Sequence, residues 1–142
     1  MKVEACMTKN VVSVSYHEPA SVAARLMSRW NVGLLPVRGQ AGRLVGVVTD
    51  RDIALRCAAA DRDPKRTSVG EIMTSRVAAV APDAELESAV RLFGREQVRR
   101  LPVVEDGRLL GIVSLADLAR REDYSLEAAE CLSAISAGVC RL

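Results

Sequence analysis

The apolar and polar positions along the chain follow the periods of short strands and amphipathic helices, in one order that occurs twice. Apolar residues three or four apart predict helices with one buried face, and short apolar runs predict strands. Two apolar runs joined by a glycine-rich turn predict a β-hairpin in each half. The first half contains a strand over 11–14, a helix over 19–29 with Leu26, Met27 and Trp30 buried, and hairpin strands over 34–37 and 44–48. The second half contains a strand over 77–80, a helix over 83–95 with Leu86, Ala89, Val90 and Phe93 buried, and hairpin strands over 101–104 and 109–113.

The two halves also match residue by residue, which indicates an internal repeat. A shift of 66 positions places Met7-Thr8 on Met73-Thr74 and Leu35-Pro36-Val37 on Leu101-Pro102-Val103. After the hairpin turn the shift becomes 65, and Gly46 falls on Gly111. A hairpin turn tolerates the one extra residue of the first copy. The sequence therefore predicts an α+β fold built from two β-α-β-β-α repeats.

The repeat boundaries divide the chain into four segments. We expect repeat 1 over 1–60, a polar linker over 61–70, repeat 2 over 71–122 and a helical tail over 123–142. The stretch from Ser68 to Ile72 has the pattern of a short capped turn of helix. In the tail, Ser125 is a candidate N-cap and Gly138 a candidate helix end. The predicted tail stripe is Leu126, Ala129, Leu132 and Ile135, and it packs either on its own module or on a second chain.

Composition narrows the class of protein. With 142 residues, 49% hydrophobic and 27% charged, the chain is expected to be globular. A net charge of +2 and an aromatic content of 3% give no indication of nucleic-acid binding. No apolar run approaches the length of a membrane span, and the first residues lack a signal-peptide pattern, so we expect a cytoplasmic protein.

Cysteine and histidine positions give no sign of catalytic or metal chemistry. The four cysteines lie far apart without a C-x-x-C pair, and His17 is the only histidine. Zinc ligation and a disulfide framework both lack their sequence signatures, and no base–nucleophile pair is visible. We therefore expect no enzyme activity, no metal and no resident cofactor.

Candidate chemistry lies where a β-branched strand of each hairpin ends. Thr49 and Ser114 follow these strands, and a carboxylate comes three residues later, at Asp52 and Asp117. A hydroxyl, free backbone N–H groups and a carboxylate on one helical turn suit a nucleotide, with phosphate at the helix start and ribose hydroxyls at the carboxylate. The same pattern is also that of a helix capping box, which needs no ligand.

Three motifs in order, each present twice, resemble a known family. Met-Thr-x-x-Val, Leu-Pro-Val and Gly-h-h-Thr/Ser-x-x-Asp (h, hydrophobic) together resemble a tandem pair of cystathionine-β-synthase (CBS) domains, a Bateman module, over residues 5–121. The resemblance implies two halves related by a pseudo-twofold axis, with clefts that bind adenosine ligands such as AMP, ADP, ATP, NAD or S-adenosylmethionine. It also implies a regulatory role, and we expect a stand-alone regulatory protein because no stretch of the sequence resembles a fused enzyme domain.

The resemblance implies that each cleft takes its hydroxyl and carboxylate from one copy and its other residues from the second copy. One predicted set is Thr49, Asp52, Arg76, Val80, Val98 and Arg99. The other is Ser114, Asp117, Asn10, Val14, Val32 and Gly33. The apolar members would hold adenine, and Arg51, Arg99 and Arg100 are candidate phosphate ligands because a guanidinium matches phosphate oxygens. The alternative for these arginines is a solvated basic surface.

Two further expectations concern selectivity and assembly. Arg51, Arg76 and Arg99 give the Asp52 set its cations, and the Asp117 set has none by the same alignment, so AMP, ADP or ATP is expected to prefer the Asp52 cleft. A homodimer is expected through the helices carrying Leu26–Trp30 and Leu86–Phe93, with help from the tail. The alternative function is an interaction scaffold that acts through dimer or partner contacts without a nucleotide.

Overall fold

The computed structural model describes residues 1–137, which form two compact units. The first-repeat unit comprises Val12–Val77 and Gly107–Leu109. The second-repeat unit comprises Met1–Val11, Ala78–Asp106 and residues 110–137. The compact units therefore differ from the sequence repeats, because the Met7-Thr8 segment of repeat 1 belongs to the second-repeat unit and Met73-Thr74 of repeat 2 belongs to the first-repeat unit.

The first-repeat unit is a three-stranded sheet covered by helices. Strand β1 (Val14–Ser15) pairs in parallel with β2 (Leu34–Arg38), and β2 pairs antiparallel with β3 (Leu44–Thr49). The helices are α1 (Ala20–Trp30), α2 (Asp50–Ile53) with a π-helical turn at Ala54–Ala58, and α3 (Val69–Ile72). The core side chains include Val14, Ala23, Leu35, Val48 and Ile72.

The second-repeat unit repeats the hairpin and adds the tail. Strands β4 (Arg100–Glu105) and β5 (Arg108–Ser114) form its sheet, and Val80 makes a single parallel bridge to Val103. Its helices are α4 (Leu86–Glu96), α5 (Leu115–Ala119) and α6 (Ser125–Ala137). The core side chains include Val3, Leu86, Phe93, Leu101 and Leu118.

Most predicted elements are present, but the two leading strands are much shorter than predicted. Only Val14–Ser15 forms a strand in the first half, and in the second half Val80 alone pairs. The chain passes from one unit to the other at Val11–Val12 and at Val77–Ala78. The apolar residues over 11–14 and 77–80 therefore belong mainly to these crossing segments. The predicted helix over 83–95 begins later, at Leu86, with Glu85 in extended conformation as its N-cap.

The tail forms its predicted helix but buries a different face. Ala128 and Ile135 are buried, whereas Leu126 is 69% exposed. The predicted stripe is therefore wrong at Leu126 and Ala129, which are exposed, and right at Leu132 and Ile135, which pack in the core. The buried face follows the four- and seven-residue spacing of Ala128, Leu132 and Ile135, which keeps one helix face toward α4 and α5. Ser125 is the first residue of the helix rather than its cap, and Gly138 lies outside the described residues.

Each Met-Thr segment crosses a hairpin strand at the glycine of the Gly-h-h-Thr/Ser-x-x-Asp motif, which explains why the two motifs occur together. Thr8 pairs with Ile112, and Thr74 pairs with Val47. At Gly111 an added Cβ would lie 2.6 Å from the carbonyl oxygen of Thr8, and at Gly46 it would lie 2.6 Å from that of Thr74. Glycine is therefore required where the Met-Thr segment crosses each hairpin strand.

Candidate functional site

Both hydroxyl-x-x-Asp elements form complete helix capping boxes. In the first-repeat unit, Thr49 Oγ1 accepts a hydrogen bond from the Asp52 backbone N–H, and Asp52 Oδ2 accepts one from the Thr49 N–H, each at 3.0 Å. In the second-repeat unit the same two bonds join Ser114 and Asp117, at 3.1 and 2.9 Å. The capping interpretation is thus confirmed. In each box the hydroxyl hydrogen and the second carboxylate oxygen take no part in these two bonds, so they can bond to other groups.

The remaining capacity of Asp52 is used within its own unit. Asp52 is 7% exposed. Thr74 Oγ1 lies 3.4 Å from both of its carboxylate oxygens, and Arg56 Nη1 lies 3.5 Å from Oδ1. Arg56 also donates to the carbonyl oxygens of Ile72 and Met73, at 3.0 and 3.1 Å. Asp52 is therefore part of a polar network that fastens the Met73-Thr74 segment to the end of β3.

Asp117 occupies the equivalent place with fewer partners. Thr8, the counterpart of Thr74, is exposed and is not among the hydrogen-bond partners of Asp117 that the described residues provide. The Asp117 Oδ1 atom faces Arg120 Nη1 at 3.5 Å, and the Arg120 side chain is 77% exposed. The Asp117 carboxylate therefore keeps an oxygen that a ligand hydroxyl can reach.

The Asp117 carboxylate lines a pocket of about 360 Å³ together with Cys6, Arg120 and Arg121. Arg121 Nη2 donates to the Ala5 carbonyl oxygen at 3.3 Å, which holds this guanidinium at the pocket wall. A pocket with one carboxylate and two guanidinium groups can bind a hydroxyl-bearing anion. The guanidinium groups match phosphate oxygens and the carboxylate accepts from ribose hydroxyls.

Arg120 and Arg121 correct an expectation from the sequence. The interpretation that the Asp117 site has no cation of its own is wrong, because both arginines line its pocket. The repeat alignment does not reveal Arg120 and Arg121, because it compares positions within and before the motif and both arginines follow it. The sequence does contain a feature that indicates a cation near Asp117. Arg121 lies four residues after Asp117, as Arg56 lies four residues after Asp52.

The two motifs share one backbone hydrogen bond at the start of the helix but differ in the side chain that follows the hydroxyl residue. The Asp50 N–H donates to the Gly33 carbonyl oxygen at 3.0 Å, and the Leu115 N–H donates to that of Arg99 at 2.9 Å. The next N–H in the first motif, that of Arg51, donates to Asp50 Oδ1 at 2.8 Å. The second motif has Leu115 in place of Asp50, and its side chain cannot accept a hydrogen bond.

The other predicted residues lie in the two units as follows. In the first-repeat unit Val14 is buried, Val32 and Gly33 are half-buried, and Arg51 and Arg76 are exposed. In the second-repeat unit Val80 is buried, Val98 is half-buried, and Asn10, Arg99 and Arg100 are exposed. Each predicted cleft takes residues from both units, so its assembly stays a prediction.

Residues 1–137 contain no group of three or more His, Cys, Asp and Glu side chains arranged to hold a metal ion. Within the same range, every helix is too short or too polar to cross a membrane.

Comparison with known proteins identifies the repeat. The family model of the CBS domain matches residues 3–58 and again residues 69–124. The CBS domain-containing protein YhcV of Bacillus subtilis is 42% identical over 134 residues, which is 94% of each chain.

Solved structures agree with the sequence comparison. The crystal structure of Hypoxic Response Protein I with two coordinated zinc ions shares 36% identity and has a TM-score of 0.79, covering 85% of this chain and 98% of that one. A hexameric CBS-CP12 protein from bloom-forming cyanobacteria shares 32% identity with a TM-score of 0.73, covering 89% and 73%. The chain described here therefore belongs to the CBS-domain family and carries two CBS domains in tandem.

Proposed function

We propose that this chain is a regulatory CBS-pair module that binds an adenosine nucleotide, with the Asp117 pocket as its principal site. The observation that carries the proposal is the pocket itself, where a carboxylate with an available oxygen lies beside two arginine side chains. AMP, ADP and ATP combine the two groups that this chemistry recognises, a ribose and a phosphate. Membership of the CBS-domain family supports a regulatory rather than a catalytic role.

The expected preference of phosphorylated nucleotides for the Asp52 site is therefore reversed. That expectation depended on the absence of cations near Asp117, and Arg120 and Arg121 remove its basis. Asp52 is only 7% exposed and already contacts Thr74 and Arg56, so its carboxylate is less accessible to a ribose hydroxyl than that of Asp117. We therefore expect the Asp52 site to bind AMP, ADP or ATP more weakly than the Asp117 site does.

A thermal-unfolding series with AMP, ADP, ATP and adenosine tests this function. A ligand at 100 times its Kd adds about 2.7 kcal/mol to the free energy of unfolding, so a true ligand raises the melting temperature in a saturable way. AMP, ADP or ATP should stabilise the protein more than adenosine does, because the arginines bind phosphate. Recovery of unchanged nucleotide after incubation is expected of a regulatory module.

The alternative function, an interaction scaffold, is favoured by the completeness of both capping boxes. It predicts that none of the four compounds changes the melting temperature. Conversion of the nucleotide during incubation would contradict both functions and indicate an enzyme.

We also propose that the chain is a homodimer. Large apolar side chains remain exposed at Trp30, Leu55 and Leu126, which a second copy would cover. A related CBS-CP12 protein is described as hexameric. Light scattering at micromolar concentration tests this, and a particle of 15.3 kDa, the mass of one chain, would contradict it.

A further inference from the structure

We propose that α6 of one copy docks on α1 of a second copy, and that the reciprocal contact forms at the same time. This inference rests on the proposed homodimer and specifies its geometry. Two equal contacts related by a twofold axis make a closed, isologous dimer.

Charge is distributed unevenly between the two units. Among the described residues, the first-repeat unit has 11 basic and six acidic side chains, for a net charge of +5. The second-repeat unit has eight basic and 12 acidic side chains, for a net charge of −4. An association that places the first-repeat unit of one copy against the second-repeat unit of the other is electrostatically complementary, whereas like-to-like association is not.

The outer face of α1 provides a basic apolar groove. Its walls are Val22, Arg25, Leu26, Ser28 and Arg29, around a volume of about 480 Å³. The helix contains no acidic residue, and neither arginine has an ion-pair partner among residues 1–137. Trp30 at its end is 54% exposed. This face combines unpaired positive charge with uncovered apolar surface.

The outer face of α6 has the opposite character. Leu126, Glu127 and Glu130 are exposed, and the segment 122–137 contains four acidic and no basic residues. The other face of α6 is already packed on α4 and α5. The acidic face with Leu126 is therefore free to contact another chain.

The contact between α6 and α4 gives a pattern for the docking of a helix on α1, the repeat equivalent of α4. On α4, Gly94 lets Cys131 approach, and the thiol Sγ lies 3.8 Å from the Val90 carbonyl oxygen. The repeat places Ala24 and Ser28 of α1 at the positions of Val90 and Gly94. Small side chains at these positions allow two helix backbones to come close.

Reversing the charges on either face tests the docking. Arg25→Glu/Arg29→Glu on α1 and, separately, Glu127→Arg/Glu130→Arg on α6 should each raise the dimer Kd at least about tenfold in sedimentation equilibrium, because like charges then face each other. The chain with all four changes should regain the dimer, and so should an equimolar mixture of the two double variants. The matched variant is Arg91→Glu/Arg95→Glu on α4, which makes the same charge change at the repeat-equivalent positions. Docking of α6 on α1 leaves its Kd unchanged, and a raised Kd would favour instead the contact through α4 that the sequence leads us to expect.

The outcomes separate the geometry from the dimer itself. A monomeric wild-type chain contradicts the proposed homodimer. A wild-type dimer whose Kd is insensitive to either double change, or a fourfold variant that has a native circular dichroism spectrum but remains monomeric, contradicts the docking of α6 on α1. Because the four changes restore attraction only if the two faces meet each other, recovery by this variant supports the docking even if the double variants are less stable.

Discussion

The two carboxylates of the repeat have the same local geometry but different surroundings. Asp52 and Asp117 each complete a capping box with bonds of 2.9 to 3.1 Å. The difference comes from residues outside the motif. Thr74 and Arg56 contact Asp52, whereas within residues 1–137 the one ion-pair partner of Asp117 beyond its box is the exposed Arg120. A carboxylate that stabilises its own unit is less available to a ligand, so the same motif can be structural in one copy and ligand-binding in the other.

Gly111 and Gly46 provide a direct test of the crossing between the Met-Thr segments and the hairpins. Gly111→Ala places a Cβ about 2.6 Å from the Thr8 carbonyl oxygen, and this backbone atom cannot move aside as a side chain can. Overpacking of this kind costs about 1–3 kcal/mol, to be measured by urea unfolding. Gly46→Ala should behave alike.

The control for this prediction is Gly94→Ala in α4. There the added Cβ would lie 3.7 Å from Cys131 Sγ, an ordinary contact, and alanine favours a helix by about 1 kcal/mol over glycine. A Gly111→Ala protein as stable as the wild type would show that the Thr8 backbone does not cross at this distance.

At the scale of the elements, α3 contributes a pH-dependent stability. The Ser68 backbone N–H, together with the Arg62 guanidinium at 2.7 Å, holds the pKa of Glu71 below its usual value of 4.5. A lowered carboxylate pKa stabilises the folded state at pH values above 4.5, and this stabilisation is lost as the pH falls through the folded-state pKa.

Replacing Glu71 therefore has an effect that depends on pH. Glu71→Gln keeps an acceptor for the Ser68 N–H but loses the charge, so the variant should be less stable than the wild type near neutral pH. The difference in the free energy of unfolding should shrink below pH 4.5. A difference that stays constant from neutral pH to below pH 4 would mean that the charge of Glu71 is not involved.

The tail is fastened to α4 by a hydrogen bond that can be titrated. Tyr124 donates its hydroxyl to Glu87 Oε1 at 2.7 Å, and this bond raises the pKa of Tyr124 to about 12. The bond contributes stability below pH 10, the usual pKa of tyrosine, and its contribution is lost as the pH rises through about 12.

Glu87→Gln should return the pKa of Tyr124 toward 10 because the negative acceptor is removed. Tyrosinate absorbance measures this pKa, and a Tyr16→Phe background leaves Tyr124 as the only tyrosine in the chain. A titration unchanged by Glu87→Gln would contradict the contact between the tail and α4.

The elements show which parts of the structure could be predicted from sequence. Helices α1 and α4 and both hairpins follow from periodicity and turn residues. The predicted burial of Trp30 on α1 is wrong, since its side chain is 54% exposed. The strand over 11–14 could not be predicted correctly, because its apolar residues connect two units and local sequence does not encode a crossing. The buried face of α6 also could not be predicted. Leu132 and Ile135 fit both a stripe that begins at Leu126 and one that begins at Ala128, and only the packing of α6 against α4 distinguishes the two.

At the scale of the whole molecule, the repeat predicts the family and the location of the two Asp motifs, but not the difference between them. Thr74 reaches Asp52 from the segment that crosses β3, and Arg120 reaches Asp117 from beyond the end of its motif. The difference between the two sites depends on these contacts. Sequence spacing cannot show such contacts. The uneven charge, by contrast, can be seen in the sequence alone, since residues 1–60 contain eight basic and four acidic side chains and residues 71–137 contain eight basic and 12 acidic ones.

We propose above that Asp117, rather than Asp52, binds the ribose of an adenosine nucleotide. Isothermal titration calorimetry of AMP and ATP with Asp117→Asn and Asp52→Asn measures this most directly, because asparagine keeps an acceptor for each capping box while removing the charge. The prediction is that Asp117→Asn raises the Kd of the tighter binding event at least about tenfold, as expected for a lost hydrogen bond to a charged group, and that Asp52→Asn leaves it within about twofold. Loss of the tighter event in Asp52→Asn, with Asp117→Asn unchanged, would contradict the account.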